Sequence, residues 1–206
     1  MKVLIINGSP HLNGNSTRLV NELVSIFNNE GVEVDNYQIG AKAFRGCMAC
    51  GYCYENHECV FKDDVNQLAK IFNDSDGLVV VSPVYYGSAN GSLISLLDRM
   101  FYSSHFDKRF KVGAAFAVAR RAGSTATFDE LNKYFTINQM PIASGRYWNN
   151  GFGREKEQIE KDEEGLQNAR VVARNMVFLM KAIKDAKKKY GYPEMEETKF
   201  THFIKK

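Results

Sequence analysis

Residues 3–17 read VLIINGSPHLNGNST. The apolar run at residues 3–6 predicts a short buried strand, and the turn-forming residues 7–10 end it. Ser16 then begins a segment whose apolar residues have helical spacing, and Gly31 closes that segment. A buried strand that passes through a turn into a helix is the first unit of an open α/β sheet.

The rest of the chain repeats this alternation of apolar runs and helical patterns. Further strands are predicted at residues 32–39, 76–81, 112–118 and 142–148. Further helices are predicted at residues 63–72, 93–101, 128–135 and 162–186. This order predicts an α/β fold, an open parallel sheet of five strands with helices on both faces. Ligands in such sheets bind beyond the carboxyl ends of the strands, so the loops there carry the functional predictions.

The composition is that of one soluble domain, with 206 residues, 44% apolar and 25% charged, and four prolines. No apolar run approaches the roughly 20 residues of a membrane helix and no secretion signal is visible, so we expect a cytoplasmic protein without a membrane partner. The net charge of +3 belongs to the end of the chain, because residues 181–206 hold eight lysines against four acids. Lysines 187–189 suit the negative end of a helix, and we expect no nucleic-acid partner.

The loop after the first strand, residues 8–17, has the residue types of a phosphate site without a cation. A helix start presents unpaired N–H groups and the positive end of the helix dipole, and side-chain donors add to them. The loop has neither the lysine of a P-loop nor the G-x-G-x-x-G spacing. The alternative is an ordinary helix capped by Ser or Thr. The candidate binding residues in this loop are Ser9, His11, Asn13, Asn15, Ser16 and Thr17.

Two more loops follow the third and fourth strands. The loop at residues 82–88 combines a stiff proline, two tyrosines and a glycine, which suits a planar heteroaromatic ring. The loop at residues 119–125 carries two cations and a glycine, which suit the polar edge of the same ring. The alternatives are core or interface tyrosines in the first loop and a solvated basic turn in the second. The candidates here are Pro83, Val84, Tyr85, Tyr86, Gly87, Arg120, Arg121 and Gly123.

All four cysteines lie within one short window, in the pattern C-x2-C-x2-C-x5-C at Cys47, Cys50, Cys53 and Cys59. Three thiolates at this spacing can surround one small inorganic core, with the fourth closing the set, as in a cubane iron-sulfur cluster. Structural zinc usually uses two separated C-x2-C pairs and is the alternative metal. Disulfides are not expected in a chain without a secretion signal.

Two of these loops, residues 8–17 and 82–87, together with the adjacent residues Asp98 and Arg99, resemble the flavodoxin-like NADPH-dependent FMN reductase family. The resemblance runs from the first residue through the long final helix. It implies a flavodoxin-like sheet with strand order 2-1-3-4-5. It also implies an FMN-binding domain at residues 1–186, with a Cys-rich insertion at 44–62 and a C-terminal extension at 187–206.

The resemblance assigns a role to each loop. Ser9, Asn15, Ser16 and Thr17 would hold the FMN phosphate, residues 83–87 would line the isoalloxazine, and residues 120–123 would face its pyrimidine side. The family further implies a homodimer or homotetramer. The cysteine window resembles the cluster motif of the iron-sulfur flavoprotein branch, which implies a 4Fe-4S cluster on Cys47, Cys50, Cys53 and Cys59. Similar loops also occur in relatives described simply as FMN reductases, so a metal-free loop is a second alternative.

The function implied is an FMN-dependent oxidoreductase, in which the flavin carries the chemistry and no amino-acid side chain is catalytic. Electrons would pass from NAD(P)H or a ferredoxin-like donor to a quinone, a flavin or another small acceptor. The alternatives are an electron carrier without substrate turnover and a cluster-free NAD(P)H:FMN or quinone reductase. The four histidines are scattered and give no catalytic pattern. Asp98 and Arg99 are interpreted as an ion pair that anchors a helix or an oligomer surface.

Overall fold

The computed structural model describes residues 1–201, and five residues of the predicted C-terminal extension, 202–206, lie outside the described residues. Its centre is a parallel sheet with strand order β2-β1-β3-β5-β6, to which the short β4 adds by pairing antiparallel with β3. The flavodoxin-like arrangement predicted from the sequence is confirmed. The strands are β1 (Lys2–Asn7), β2 (Glu33–Gln38), β3 (Gly77–Tyr85), β4 (Ser88–Ala89), β5 (Val112–Ala119) and β6 (Asn150–Phe152).

Helices cover both faces of this sheet. Alternate residues of β1 point to opposite sides, so Val3 and Ile5 belong to one apolar core and Leu4 and Ile6 to the other. Helices α1 and α6 fill the first core, whereas α3, α4 and α5 fill the second. The helices are α1 (Asn15–Asn29), α2 (Tyr52–Asn56), α3 (Asp64–Asn73), α4 (Gly91–Ser103), α5 (Ser124–Ile137) and α6 (Glu163–Tyr190), and a short 3-10 helix spans Gln158–Lys161.

The position predicted for the last strand is wrong. Residues 142–148 form only an isolated bridge between Gly113 and Ile142, and β6 begins at Asn150. The reason is Asn168 of α6, whose Oδ1 accepts hydrogen bonds from the N–H groups of Arg146 and Tyr147 at 2.8 and 3.4 Å. A side chain thus satisfies backbone donors that a strand would have paired with β5.

Helix α6 extends past its predicted end at residue 186 and reaches Tyr190. Lysines 187–189 lie in its last turn, where they complement the helix dipole. Gly191 ends the helix with a φ of 74°, a conformation that glycine adopts without steric cost. Tyr192 then stacks on Phe110 with ring centroids 5.0 Å apart. Within residues 1–201, every helix is too short or too polar to cross a lipid bilayer.

Candidate functional site

A cleft of about 790 Å³ opens where β1, β3 and β5 end. It brings together nine of the predicted binding residues from three separate loops, as expected for the carboxyl edge of a parallel sheet. The other five, Thr17, Tyr86, Gly87, Arg121 and Gly123, do not line it. The nine that do are Ser9, His11, Asn13, Asn15, Ser16, Pro83, Val84, Tyr85 and Arg120.

Helix α1 presents an open N-terminus to this cleft. Its N-cap is Gly14, which has no side chain to bond the first N–H groups, and its first turn contains no acidic residue. The preceding loop is fixed internally, because the Ser9 N–H donates to Asn7 Oδ1 at 3.0 Å and Ser9 Oγ accepts from the His11 N–H at 3.2 Å. The positive end of the helix dipole is therefore left for an anion in the cleft.

Two residues predicted to bind phosphate, Thr17 and Asn15, make side-chain hydrogen bonds to other groups of the protein. Thr17 Oγ1 lies 3.3 Å from the carbonyl oxygen of His11 and 3.3 Å from Gln38 Oε1. Asn15 Nδ2 donates to the Glu155 carbonyl at 3.0 Å, and its Oδ1 accepts from the Ile159 N–H at 3.2 Å. These two side chains hold the walls of the cleft in place, and a role in contacting phosphate stays a prediction for them.

The two tyrosines predicted to bind the ring lie in different positions at the end of β3. Tyr85 lines the cleft with 42% of its surface exposed, and its partial burial raises the pKa of its phenol, which stays protonated at neutral pH. Tyr86 is fully exposed and has a φ of 59°, a left-handed conformation that is unfavourable for a bulky side chain. Only the first tyrosine is placed to contact a ring in the cleft.

The candidate binding residues in the loop after β5 also differ in whether they line the cleft. Both arginines are exposed, but Arg120 lines the cleft and Arg121 does not. Gly123 has a φ of 85°, and a Cβ there would lie 2.9 Å from Val84 Cγ1 and 3.1 Å from Gly87 Cα. Gly123 therefore allows the loop after β5 to pack against the turn after β3, which fixes the two walls relative to each other.

A fourth wall of the cleft was missed in the sequence. Gly153, Arg154 and Lys156 line it and follow β6 directly. The rule about carboxyl ends gives the signal for this loop, but the sequence pattern predicts the last strand at residues 142–148, ahead of β6. The two cations add positive charge to a cleft that already contains Arg120.

All four cysteines line a second cavity, which shares no lining residue with the cleft. Cys53 is buried on α2, and Cys47 and Cys50 are exposed on the preceding loop. Burial and the neighbouring thiols raise the pKa of the Cys53 thiol. Asn66 of α3 fixes the backbone of Cys59, since its Oδ1 accepts from the Cys59 N–H and its Nδ2 donates to the Cys59 carbonyl, both at 2.8 Å.

Arg99 of α4 also lines this cavity and is 2% exposed. Its Nε donates to Cys59 Sγ at 3.2 Å, while Nη1 and Nη2 donate to the two carboxylate oxygens of Asp63 at 2.7 and 2.8 Å. Burial opposes the charge on Arg99, but the hydrogen bonds that it donates to Asp63 and Cys59 outweigh this effect and raise the pKa of the guanidinium. The aromatic ring of Phe61 lies 4.8 Å from the guanidinium carbon.

The predicted ion pair between Asp98 and Arg99 is wrong. Adjacent residues of a helix point in different directions, so Arg99 turns inward to Asp63, while Asp98 accepts a hydrogen bond from the Tyr134 hydroxyl. Among the described residues, no three Cys, His, Asp or Glu side chains converge on a position for a single metal ion. His57, between the third and fourth cysteines, is exposed and contacts the ring of His105.

Comparison with known proteins decides the family. Residues 1–155 match the family model described as NADPH-dependent FMN reductase. The chain belongs to this family. An iron-sulfur flavoprotein of Methanocaldococcus jannaschii is 32% identical over 192 residues, which span 89% of this chain and 100% of the relative. An iron-sulfur flavoprotein of Methanosarcina thermophila is 27% identical over 89% of this chain and 97% of its own length.

Three solved structures share the fold of this FMN reductase family member. A flavone reductase superimposes with a TM-score of 0.68 at 19% identity, covering 90% of this chain and 65% of the reductase. An NADH:FMN oxidoreductase in its apo form gives a TM-score of 0.60 at 14% identity, covering 88% of this chain and 89% of the other. A flavodoxin from the Archaea gives 0.56 at 13% identity, covering 89% and 99%. At these identities the likeness concerns the fold.

Proposed function

We propose that this protein is an FMN-dependent oxidoreductase that binds FMN in the cleft and a 4Fe-4S cluster at the cysteine loop. Membership of the FMN reductase family supports oxidoreductase chemistry and FMN in general. The observation that carries the proposal is the uncapped N-terminus of α1, which opens into a cleft lined by the loops after β1, β3 and β5. This is the position where open parallel sheets bind their ligands.

The phosphate would bind at the start of α1. The first N–H groups of a helix have no acceptor within it, and Gly14 supplies none from a side chain. Arg154 and Lys156 add positive charge to the cleft from the wall after β6. A dianionic phosphate is therefore favoured by dipole, hydrogen bonds and charge together.

The flavin ring would lie against Pro83, Val84 and Tyr85, where apolar and aromatic side chains offer a flat contact. FMN supplies hydride and single-electron chemistry, and the protein positions and tunes it. Arg120 at the same cleft would stabilise negative charge at the polar edge of the ring. No side-chain nucleophile or general base is required.

The cysteine loop fits an iron-sulfur cluster by its donor set. Four thiols line one cavity together, and Arg99 already donates a hydrogen bond to one of them. Thiolates are the usual ligands of such clusters, and hydrogen bonds to sulfur are a normal part of their surroundings. The names of the archaeal relatives as iron-sulfur flavoproteins support the same assignment. The alternatives are a zinc site and a loop without metal, and iron analysis distinguishes both of them from an iron-sulfur cluster.

The donor in this proposal is NAD(P)H or a ferredoxin-like protein, and the acceptor is a quinone, a free flavin or another small molecule. A cytoplasmic homodimer or homotetramer is proposed with it. Steady-state oxidation of NADPH and NADH in the presence of a quinone tests the enzymatic assignment. FMN-dependent turnover supports an enzyme. Negligible oxidation of either nucleotide, in protein that retains FMN and accepts electrons from reduced ferredoxin, would identify an electron carrier instead.

A further inference from the structure

The last turns of α4 place two hydrogen-bond donors at the cysteine cavity. Arg99 and Ser103 are four residues apart on the helix, so they share one face, and both line the cavity with the four cysteines. We propose that this donor pair raises the reduction potential of the cluster at the cysteine loop by stabilising the negative charge that reduction adds at sulfur. The inference rests on the proposed function, because it concerns the same cluster.

Arg99 is buried, and several hydrogen bonds fix the position of its guanidinium. Its Nη1 and Nη2 atoms bond both oxygens of Asp63, and Nη1 also lies 3.3 Å from the Arg45 carbonyl. This leaves Nε–H directed at Cys59 Sγ, 3.2 Å away. Because Asp63 balances the guanidinium charge, the effect on Cys59 comes mainly from a fixed N–H dipole close to the sulfur.

Ser103 supplies the second, independent observation. Its side chain is 3% exposed, and its Oγ has no hydrogen-bond partner within residues 1–201. The neighbouring Ser104 donates its hydroxyl hydrogen to the Met100 carbonyl one turn earlier, at 2.6 Å. A serine at this end of the helix can therefore bond to a backbone carbonyl, but Ser103 does not. A buried hydroxyl without a partner is costly, which points to an acceptor bound in the cavity.

The direction of the effect follows from charge. One-electron reduction of an iron-sulfur cluster adds one negative charge, part of which lies on the sulfur atoms. Hydrogen bonds from Arg99 and Ser103 become stronger as that charge grows, so they stabilise the reduced state more than the oxidised state. Removing either donor should lower the potential, while the cysteine ligands remain in place.

The test uses Ser103→Ala and Arg99→Lys in the anaerobically reconstituted holoprotein. Ser104→Ala and Arg109→Lys are matched controls, since Ser104 bonds Met100 and Arg109 bonds Asp107, away from the cysteines. Iron and acid-labile sulfide are measured first, and the potential is then determined by a redox titration followed by electron paramagnetic resonance. We expect the equilibrium constant for reduction to fall about three- to tenfold in each variant, tenfold being about 59 mV for a one-electron couple. The controls should keep the wild-type potential.

A wild-type potential in Ser103→Ala, or in an Arg99→Lys protein that retains its iron, would overturn the inference. If Arg99→Lys fails to fold or to hold iron, the result for Ser103→Ala decides, because that change removes only one oxygen atom. Failure of the proposed function gives a different signature: the wild-type protein itself would hold no iron or sulfide after reconstitution, and the inference would fall with it.

Discussion

Asp63 and Arg99 form a two-pronged ion pair that joins the start of α3 to α4, with N···O distances of 2.7 and 2.8 Å. Asp63 also accepts a hydrogen bond from the Val65 N–H and so caps α3. One carboxylate thus ends the cysteine loop, starts a helix and balances a buried cation. The stability of the cysteine loop therefore depends on a residue that lies outside the cysteine pattern.

Asp63→Asn keeps the cap on α3 but removes the charge that balances Arg99. We expect a loss of about 2 kcal/mol in the free energy of unfolding, less than for a fully buried pair because the Asp63 side chain is 34% exposed. Urea unfolding measures it. Asp64→Asn is the control, since Asp64 is about as exposed as Asp63 but its ion-pair partner Lys42 is 58% exposed, so the change should cost less than about 1 kcal/mol. Equal losses in the two variants would contradict the role given to Asp63.

A negative charge at the start of α1 should compete with the FMN phosphate. Asn13→Asp changes charge with almost no change in shape, and Asn13 is an exposed residue lining the cleft. We expect the Kd for FMN to rise about tenfold at low salt and the difference to shrink as salt is added. Flavin fluorescence quenching gives both values. Asn28→Asp, at the other end of the same helix, should stay within about twofold of wild type; a similar rise there would remove the case for a phosphate site.

The two neighbouring arginines after β5 should differ in their effect on the flavin. Arg120→Gln removes a cation from the cleft, and we expect a several-fold weaker binding of reduced FMN, whose polar edge carries more negative charge. Arg121→Gln is the matched control because Arg121 lies outside the cleft. Titration of FMN at controlled potential separates the two oxidation states. An Arg121 effect equal to that of Arg120 would mean that overall charge, and not position, matters.

Gly77 at the start of β3 packs against Met176 and Met180 of α6. A Cβ there would lie 2.8 Å from the Val112 carbonyl oxygen and 2.4 Å from Met176 Cε, so Gly77→Ala should cost about 2 kcal/mol in the free energy of unfolding. Gly91→Ala, in the first turn of α4, meets nothing within 4 Å and should be neutral or slightly stabilising. Thermal unfolding of both variants checks the packing of α6; a stable Gly77→Ala protein would contradict it.

The lowered pKa of Lys108 determines how the free energy of unfolding should change with pH. Burial lowers its pKa to about 8, while its Nζ donates to the carbonyl oxygens of Ser104 and Phe106. In the unfolded chain its pKa is about 10.4, so between these values the unfolded state binds more protons and the free energy of unfolding rises with pH. Relative to Lys108→Met, the wild type should gain about 1–2 kcal/mol between pH 8 and pH 9.5. A difference that stays constant over this range would show that Lys108 titrates normally.

The parts of the fold and cleft that could be predicted from the sequence are those fixed by local patterns. The apolar run at residues 3–6, followed by a turn and an amphipathic helix, predicts β1, the loop at residues 8–14 and α1 within one or two residues. Parallel strands end at one edge, so this rule alone also brings Tyr85 and Arg120 to the same cleft. Such predictions need no knowledge of distant contacts.

Two of the errors, the position of the last strand and the partner of Arg99, depend on contacts between residues far apart in sequence. Asn168 replaces strand pairing at residues 146–147, which moves the last strand to Asn150 and hides Arg154 and Lys156 from sequence analysis. Arg99 pairs with Asp63 across 36 residues, and not with its neighbour Asp98. Local spacing does not determine either partner, since each is selected by how the helices pack against the sheet.

FMN in the cleft and a 4Fe-4S cluster at the cysteine loop are tested most directly by the cofactor content of anaerobically reconstituted protein, compared with Cys50→Ser. We expect about one FMN, four iron atoms and four acid-labile sulfides per chain in the wild type, with the iron lost and the FMN kept in Cys50→Ser. FMN accompanied by zinc, or by no metal at all, in the wild-type protein would contradict it.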